Sequence, residues 1–312
     1  MAFRSKLVRF MRKPLHEKGI SIRTKLRKFV HKPDPTQRLI LKKLEDIGTM
    51  VGRSYWIAKE QYLEHELTRE RYSDGKRLEP YGFKVYSQLD EDGIIQEIFR
   101  RIGTNKRTFV EFGVENGLEN NTLKLLLEGW RGLWIEADTN HVTSIKRRFS
   151  DVIGANRLAV RLAFITAENI NDLIGAWGTG EIDLLSIDID GNDFYVWQAI
   201  NVVKPRVVVI ECNWKFPPPL SIVQAYDPNN FWRNTDYMGA SLEALVKLGA
   251  RLGYSLVGTN LVGLNAFFVR NELVEEKFQR PFSAQNHYNR RDFLWPYFAG
   301  HTADWGRWVQ VD

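Results

Sequence analysis

What most constrains this chain is a regular alternation, beginning after residue 90, of short apolar β-type runs with amphipathic helical stretches. Ile94, Ile95, Ile98 and Phe99 line one face of a helix beginning at Asp92. Strand-type runs follow at residues 108–112, 132–136, 157–165, 182–188 and 207–211. Helical spacing separates them: Leu123, Leu126 and Leu127, then residues 139–149, 168–177 and 194–200. A helix over 241–252 precedes two final strands, 254–257 and 266–270. Successive βα units predict a parallel sheet with helices on both faces, because each right-handed crossover covers one face. The last two strands are joined by about eight residues, too short for a helical crossover. That pair is therefore expected to be antiparallel.

The charge is unevenly placed. The first 43 residues carry fourteen Lys or Arg against Glu17 and Asp34, whereas the remainder holds 30 basic and 36 acidic residues. The basic character thus belongs to an arm and not to the body. Phe3, Leu7, Phe10 and Met11 recur at helical spacing among the basic residues, a pattern suited to lying on an anionic membrane surface. A solvated basic tail and an organellar transit peptide are the alternatives. The body has no basic stripe interleaved with aromatics, so a nucleic-acid partner is not expected. No run reaches the length of a membrane span. The single Cys212 excludes a disulfide framework and a cysteine-based zinc cluster, and suits a reducing, cytoplasmic setting.

The expected organisation is a basic arm (residues 1–43), a helical extension (44–84), the α/β domain (85–272) and an aromatic C-terminal segment (273–312) that packs or forms a lid. In the extension, Ile40, Leu44, Ile47 and Val51 form one apolar seam. It either packs on the main domain or pairs two chains as a homodimer.

In open α/β sheets ligands bind beyond the carboxyl ends of the strands, and the candidate polar groups lie there. Glu111, Gly113, Asn116 and Gly117 follow the first strand, and Glu136 closes the second, 23 residues after Gly113. A glycine loop after strand one with an acid after strand two is a nucleoside-binding layout. Glu115 disfavours a pyrophosphate and suits a cofactor carrying positive charge. S-adenosylmethionine, cationic at sulfur and with an ammonium group, meets that condition, and Glu111 would hold its aminoacyl end.

Further on, Asp188, Asp190 and Asp193 follow strand four, and Glu211 and Asn213 follow strand five. Side chains alternate along a strand, so only one of Asp188 and Asp190 is expected on a given side. Asp188, Asp190, Glu211 and Asn213 are a candidate Mg²⁺ set, hard oxygen donors able to orient an attacked hydroxyl and lower its pKa. The alternative has Asp188 touching the cofactor while Asp190 and Asp193 cap the next helix. Candidate general bases are Asp190 and His287; a lone histidine in such a loop is otherwise a structural residue. The loop 213–239, with Trp214, Phe216, Tyr226, Phe231, Trp232, Tyr237 and three successive prolines, either stacks on an acceptor or packs on the domain.

Four segments carry a family likeness: Ser87-Gln88-Leu89-Asp90-Glu91-Asp92-Gly93, Phe109-Val110-Glu111-Phe112-Gly113, Gly129-Trp130-Arg131-Gly132-Leu133-Trp134-Ile135-Glu136 and Ile187-Asp188-Ile189-Asp190-Gly191-Asn192-Asp193. Over residues 85–272 the chain resembles the FkbM-type S-adenosylmethionine-dependent methyltransferases. The resemblance implies a class I methyltransferase fold: a doubly wound, mostly parallel seven-stranded sheet ending in an antiparallel pair. It also implies O-methylation, often of a sugar or other glycan-like metabolite; with the basic arm, the expected setting is a glycan or glycolipid precursor at the inner membrane face. Glu111, Gly113 and Gly117 match its first motif, Glu136 its ribose acid and Asp188 its strand-four acid. Glu115-Asn116 stands where that fold usually has a further glycine. This departure motivates a rival, a non-catalytic scaffold in a membrane-associated complex; a nucleotide-sugar-binding enzyme is a second.

Overall fold

A computed structural model of the chain describes residues 34–289 and 302–312. The quartet Phe3, Leu7, Phe10 and Met11 lies outside the described residues. The described residues divide into two units, with the boundary between Glu66 and Leu67. In the first, α1 (Pro35–Leu67) is set by its opening residues. Asp34 Oδ1 accepts from Gln37 N at 2.8 Å, Gln37 Oε1 accepts from Asp34 N at 3.2 Å, and Pro35 occupies the first turn, where no N–H is needed. Ile40, Ile47 and Val51 of the apolar seam are each more than half exposed. Among the described residues no helix is long and apolar enough to cross a membrane.

The second unit begins with α2 (Glu91–Ile102) and then alternates strands and helices: β1 (Thr108–Phe112), α3 (Leu123–Leu127), β2 (Arg131–Glu136), α4 (Thr139–Arg148), α5 (Ser150–Gly154), β3 (Leu158–Leu162), α6 (Ile170–Gly175) and β4 (Gly180–Ile187). It continues with α7 (Asp193–Ala199), β5 (Val203–Glu211), β6 (Ile222–Gln224), α8 (Leu242–Leu252), β7 (Tyr254–Thr259), β8 (Asn265–Arg270), α9 (Asn271–Val274), α10 (Ala284–His287) and β9 (Trp308–Gln310).

Seven strands form one sheet in the order β3-β2-β1-β4-β5-β8-β7, parallel except that β8 runs antiparallel to β5 and β7. This is the class I methyltransferase architecture. The sheet is sandwiched between two buried apolar clusters, one built around Ile187, Trp197, Val208 and Leu245, the other around Ile98, Phe109, Trp134 and Phe267. The near-continuous apolar runs of β1, β4 and β5 are those of strands covered on both faces.

Two departures from the sequence reading bear on the site. β3 stops at Leu162, three residues short of the expected end. The loop after β5 is not irregular throughout: β6 pairs antiparallel with β9, Ile222 opposite Gln310, in a separate two-stranded sheet. Such a pair is invisible to periodicity because each strand has three residues.

Candidate functional site

Strand order reverses between β1 and β4, which places a crevice at their carboxyl ends. The chain leaves β1 at Gly113, whose φ of +70° favours glycine. A Cβ there would lie 1.7 Å from the Asp188 carbonyl oxygen, so the loops after β1 and β4 approach as closely as backbones can. Gly117, at φ +78°, is required for a different reason: a Cβ would press on Trp134, Phe149 and Ile145. Glu115 adopts φ +45°, and its N–H donates to Glu136 Oε2 at 2.8 Å. Glu136 Oε1 accepts from Asp138 N at 2.8 Å. The buried acid closing β2 is therefore tied directly to the glycine loop after β1. Each Glu136 oxygen retains a second lone pair for a ligand hydroxyl. Asn116 stands in the exposed part of the loop and turns its side-chain oxygen to Leu118 N.

Glu111 is placed differently from the sequence expectation. Its carboxylate is buried, and both oxygens are engaged by the chain itself: Oε1 by Asn121 N at 2.8 Å, Oε2 by Thr122 N at 3.1 Å and by the Thr122 hydroxyl. Trp134 Nε1 donates to that same hydroxyl oxygen at 2.8 Å. Burial pushes the Glu111 carboxyl up to about 7, against the pull of hydrogen bonds from Thr122, Asn121 and Ser186. This carboxylate pins the start of α3.

On the other side of the crevice, carboxylate oxygens of Asp188, Asp190 and Glu211 lie within 4.8 Å of one another, all three residues half-buried. Strand alternation predicted that Asp188 and Asp190 would face opposite ways. β4 instead ends at Ile187, and Asp190 adopts φ +55°, a left-handed turn that swings its side chain back. Asp193 maintains the turn: its carboxylate accepts from Ile189 N at 2.9 Å and Gly191 N at 2.8 Å, bracketing Asp190. Burial raises the Asp188 carboxyl well above the usual range, and the nearby Asp190, Asp193, Glu111 and Glu91 raise it further.

Two predicted residues do not join this group. Asn213 donates its amide to Asp236 O at 2.9 Å and Met238 O at 3.0 Å and accepts from Lys215 N at 3.2 Å, so it closes its own loop and is not a metal donor. His287 is fully buried, with Nε2 3.2 Å from Gln279 O. Burial, followed by the positive charge of Arg77, lowers its pKa to about 3, which leaves it a poor base at neutral pH.

Sequence reasoning missed the acid-amide shelf beside the cluster. Glu91, fully enclosed, accepts from Asn260 Nδ2 and Asn265 Nδ2, each at 2.9 Å, and from Leu89 N at 2.8 Å. Its neighbour Asp92 gathers the N–H groups of Val85, Tyr86 and Ser87 on one oxygen at 2.7–2.8 Å. The Asp-Glu-Asp run carried this signal, but its partners lie some 170 positions away. In the loop after β5, Phe216 and Tyr237 pack on Trp308, ring centroids 4.7 and 5.0 Å away. Phe231 stands exposed beside Phe164 at 4.9 Å. A small hollow lies next to Glu211, walled by Trp214, Lys215, Asp236 and Met238.

No family model matches the chain, and no curated protein matches it. Among solved structures it is similar to the SAH-bound N-terminal domain of EvdMO1, with 15% identity, 66% of this chain and 94% of that one covered, and a TM-score of 0.38. It is also similar to PKMT2 from Rickettsia typhi in complex with AdoHcy (8% identity, 65% and 57% covered, TM-score 0.40). A third is TrmK from M. capricolum in complex with SAH (8% identity, 56% and 65% covered, TM-score 0.34). Likenesses this distant leave the chemistry to be read from the site itself.

Proposed function

We propose that this chain transfers the methyl group of S-adenosylmethionine to a hydroxyl oxygen of a polar acceptor. The observation that carries the reading is the 2.8 Å bond from Glu115 N to Glu136, which holds an acid at the end of β2 against the glycine loop after β1. Glu136 would hold the ribose hydroxyls through its open lone pairs, and the glycine loop after β1 would hold the nucleoside. The sulfonium supplies a methyl cation equivalent: the new bond joins acceptor oxygen to carbon, the carbon–sulfur bond breaks, and a neutral thioether remains. The hydroxyl proton passes to the carboxylate cluster of Asp188, Asp190 and Glu211. Orientation of the hydroxyl behind the methyl group does the rest.

The acceptor lies on the β4–β5 side, over the hollow beside Glu211. A hydroxyl-rich glycan or glycolipid precursor suits a site lined by carboxylates and reached past exposed Phe231, whose face stacks on a sugar ring. The basic arm over residues 1–43 would hold the chain at an anionic membrane surface. Calorimetry with S-adenosylhomocysteine tests the core of this reading. The intact chain should bind it, and Glu136→Ala should weaken binding at least tenfold. Absence of binding by the intact chain overturns the reading and favours the non-catalytic scaffold, for which the commitment of both Glu111 oxygens to the chain itself already speaks.

A further inference from the structure

The acids at the ends of β4 and β5 have a neighbour that no sequence motif announced. Asn265 opens β8 directly opposite Glu211. Cys212 N donates to Leu264 O at 2.8 Å, so residues 212 and 264 form the hydrogen-bonded pair and Glu211 and Asn265 the adjacent non-hydrogen-bonded pair. In such a pair the side chains project from one face at the closest spacing a sheet offers. Asn265 is 3% exposed. Its Nδ2 donates to Glu91 Oε1 at 2.9 Å. A carboxylate only accepts, so the amide cannot be turned round, and Oδ1 is fixed on the other side. That oxygen is buried and has no hydrogen-bond partner among the described residues.

A buried carbonyl oxygen without a donor is unfavourable in any fold. Here it stands beside Glu211, and Glu211 stands within 4.8 Å of Asp188 and Asp190. Four oxygen-bearing side chains thus converge on one place, and with the three acids ionised none of the four donates a hydrogen bond there. One amide and three carboxylate oxygens are the donor set of a hard divalent cation. We propose that Asp188, Asp190, Glu211 and Asn265 bind one Mg²⁺ or Mn²⁺ ion, with Glu91 fixing the amide in the ligating orientation.

The assignment replaces Asn213 by Asn265 and rests on the methyl-transfer reading only for its use: a cation there would orient the acceptor hydroxyl and ease loss of its proton. The strained turn at Asp190 acquires a purpose, since a relaxed backbone would carry its carboxylate out of the group. Glu91 acts through Asn265 and is a positioning residue, and its loss should weaken the ion without touching a ligand.

The test needs neither acceptor nor nucleoside. Mn²⁺ is titrated into the chelator-stripped full chain, and free Mn²⁺ is followed by electron paramagnetic resonance. One saturable ion per chain, displaced by Mg²⁺, is expected. Asp190→Gly should weaken it at least tenfold with the melting temperature kept, because glycine accepts the positive φ. Asn265→Asp should tighten it, since a charged ligand replaces a neutral one. Weak, unsaturable binding, or equal affinity in the wild type and Asp190→Gly, overturns the assignment. Binding of S-adenosylhomocysteine is measured separately, so failure of the ion leaves the methyl-transfer reading standing, and failure of the nucleoside leaves the ion.

Discussion

Replacement of His287 by Leu should change how the stability of this protein depends on pH, in a direction and amount that the structure sets. Folded, the imidazole is enclosed, donates from Nε2 to Gln279 O, and feels Arg77 and Arg71; its pKa falls from 6.5 to about 3. Above pH 6.5 the ring is neutral in both states and contributes nothing to the dependence. Below it the unfolded chain takes up a proton that the folded chain refuses, so stability falls as pH falls. Between pH 8 and pH 5 this one group removes about 2 kcal/mol. Glu111 and Asp90 act oppositely: each is raised to about 7 by burial, so each favours the fold at low pH and loses that contribution as pH rises towards 7. The wild-type profile mixes the two effects, but the difference between the wild type and His287→Leu isolates the histidine. Urea unfolding at pH 5, 6, 7 and 8 measures it. The variant carries a constant deficit of about 1–3 kcal/mol for the unpaired Gln279 carbonyl. Relative to the wild type it should gain about 2 kcal/mol from pH 8 to pH 5. A gap that does not move with pH refutes the account of a buried neutral imidazole and reopens the catalytic role for His287.

Other substitutions separate architecture from site. Gly113→Ala forces a Cβ against the Asp188 carbonyl at a φ of +70°; the backbone term alone costs about 1–2 kcal/mol, and calorimetry should show S-adenosylhomocysteine binding lost with it. Asp183→Ala should be the reverse case. This fully buried carboxylate, near the amino-terminal end of the central strand β4, accepts from Asn105, Lys106 and Thr108 N–H groups and faces Arg206, so its removal should cost about 3–5 kcal/mol in chemical denaturation. Nucleoside affinity per folded molecule should be unchanged. Asp193→Ala releases the turn around Asp190; the nucleoside should still bind while Mn²⁺ affinity falls at least tenfold by titration.

The sheet was legible because β1, β2, β4 and β5 are continuous apolar runs bounded by glycines and acids, and because the short link before β8 forces a reversal. The meeting of the Gly113 loop with Glu136 was legible for the same reason: both residues sit where a strand ends. What escaped were facts of pairing. Strand alternation is a rule for extended chain, and Asp190 breaks it by leaving extended geometry. Glu111 looks like a ligand group in sequence, but Asn121 and Thr122 fold back onto it. Asn213 closes its own loop, and it is the register of β5 against β8 that sets Asn265 opposite Glu211. The segments of β6 and β9 carry no periodicity, since each is defined by the other.

That last pairing has a bearing on synthesis. Ser221 and Val311 exchange hydrogen bonds across the small sheet, its N–H from Val311 to Ser221 O and its hydroxyl bond from Ser221 to Val311 O at 2.9 and 2.7 Å. The wall of the hollow beside Glu211 is therefore braced by residues that leave the ribosome some ninety positions later. A nascent chain can complete the edge formed by β1 and β2 while the opposite bank is still open, and the small sheet that braces that bank closes only once residues 308–311 have been made.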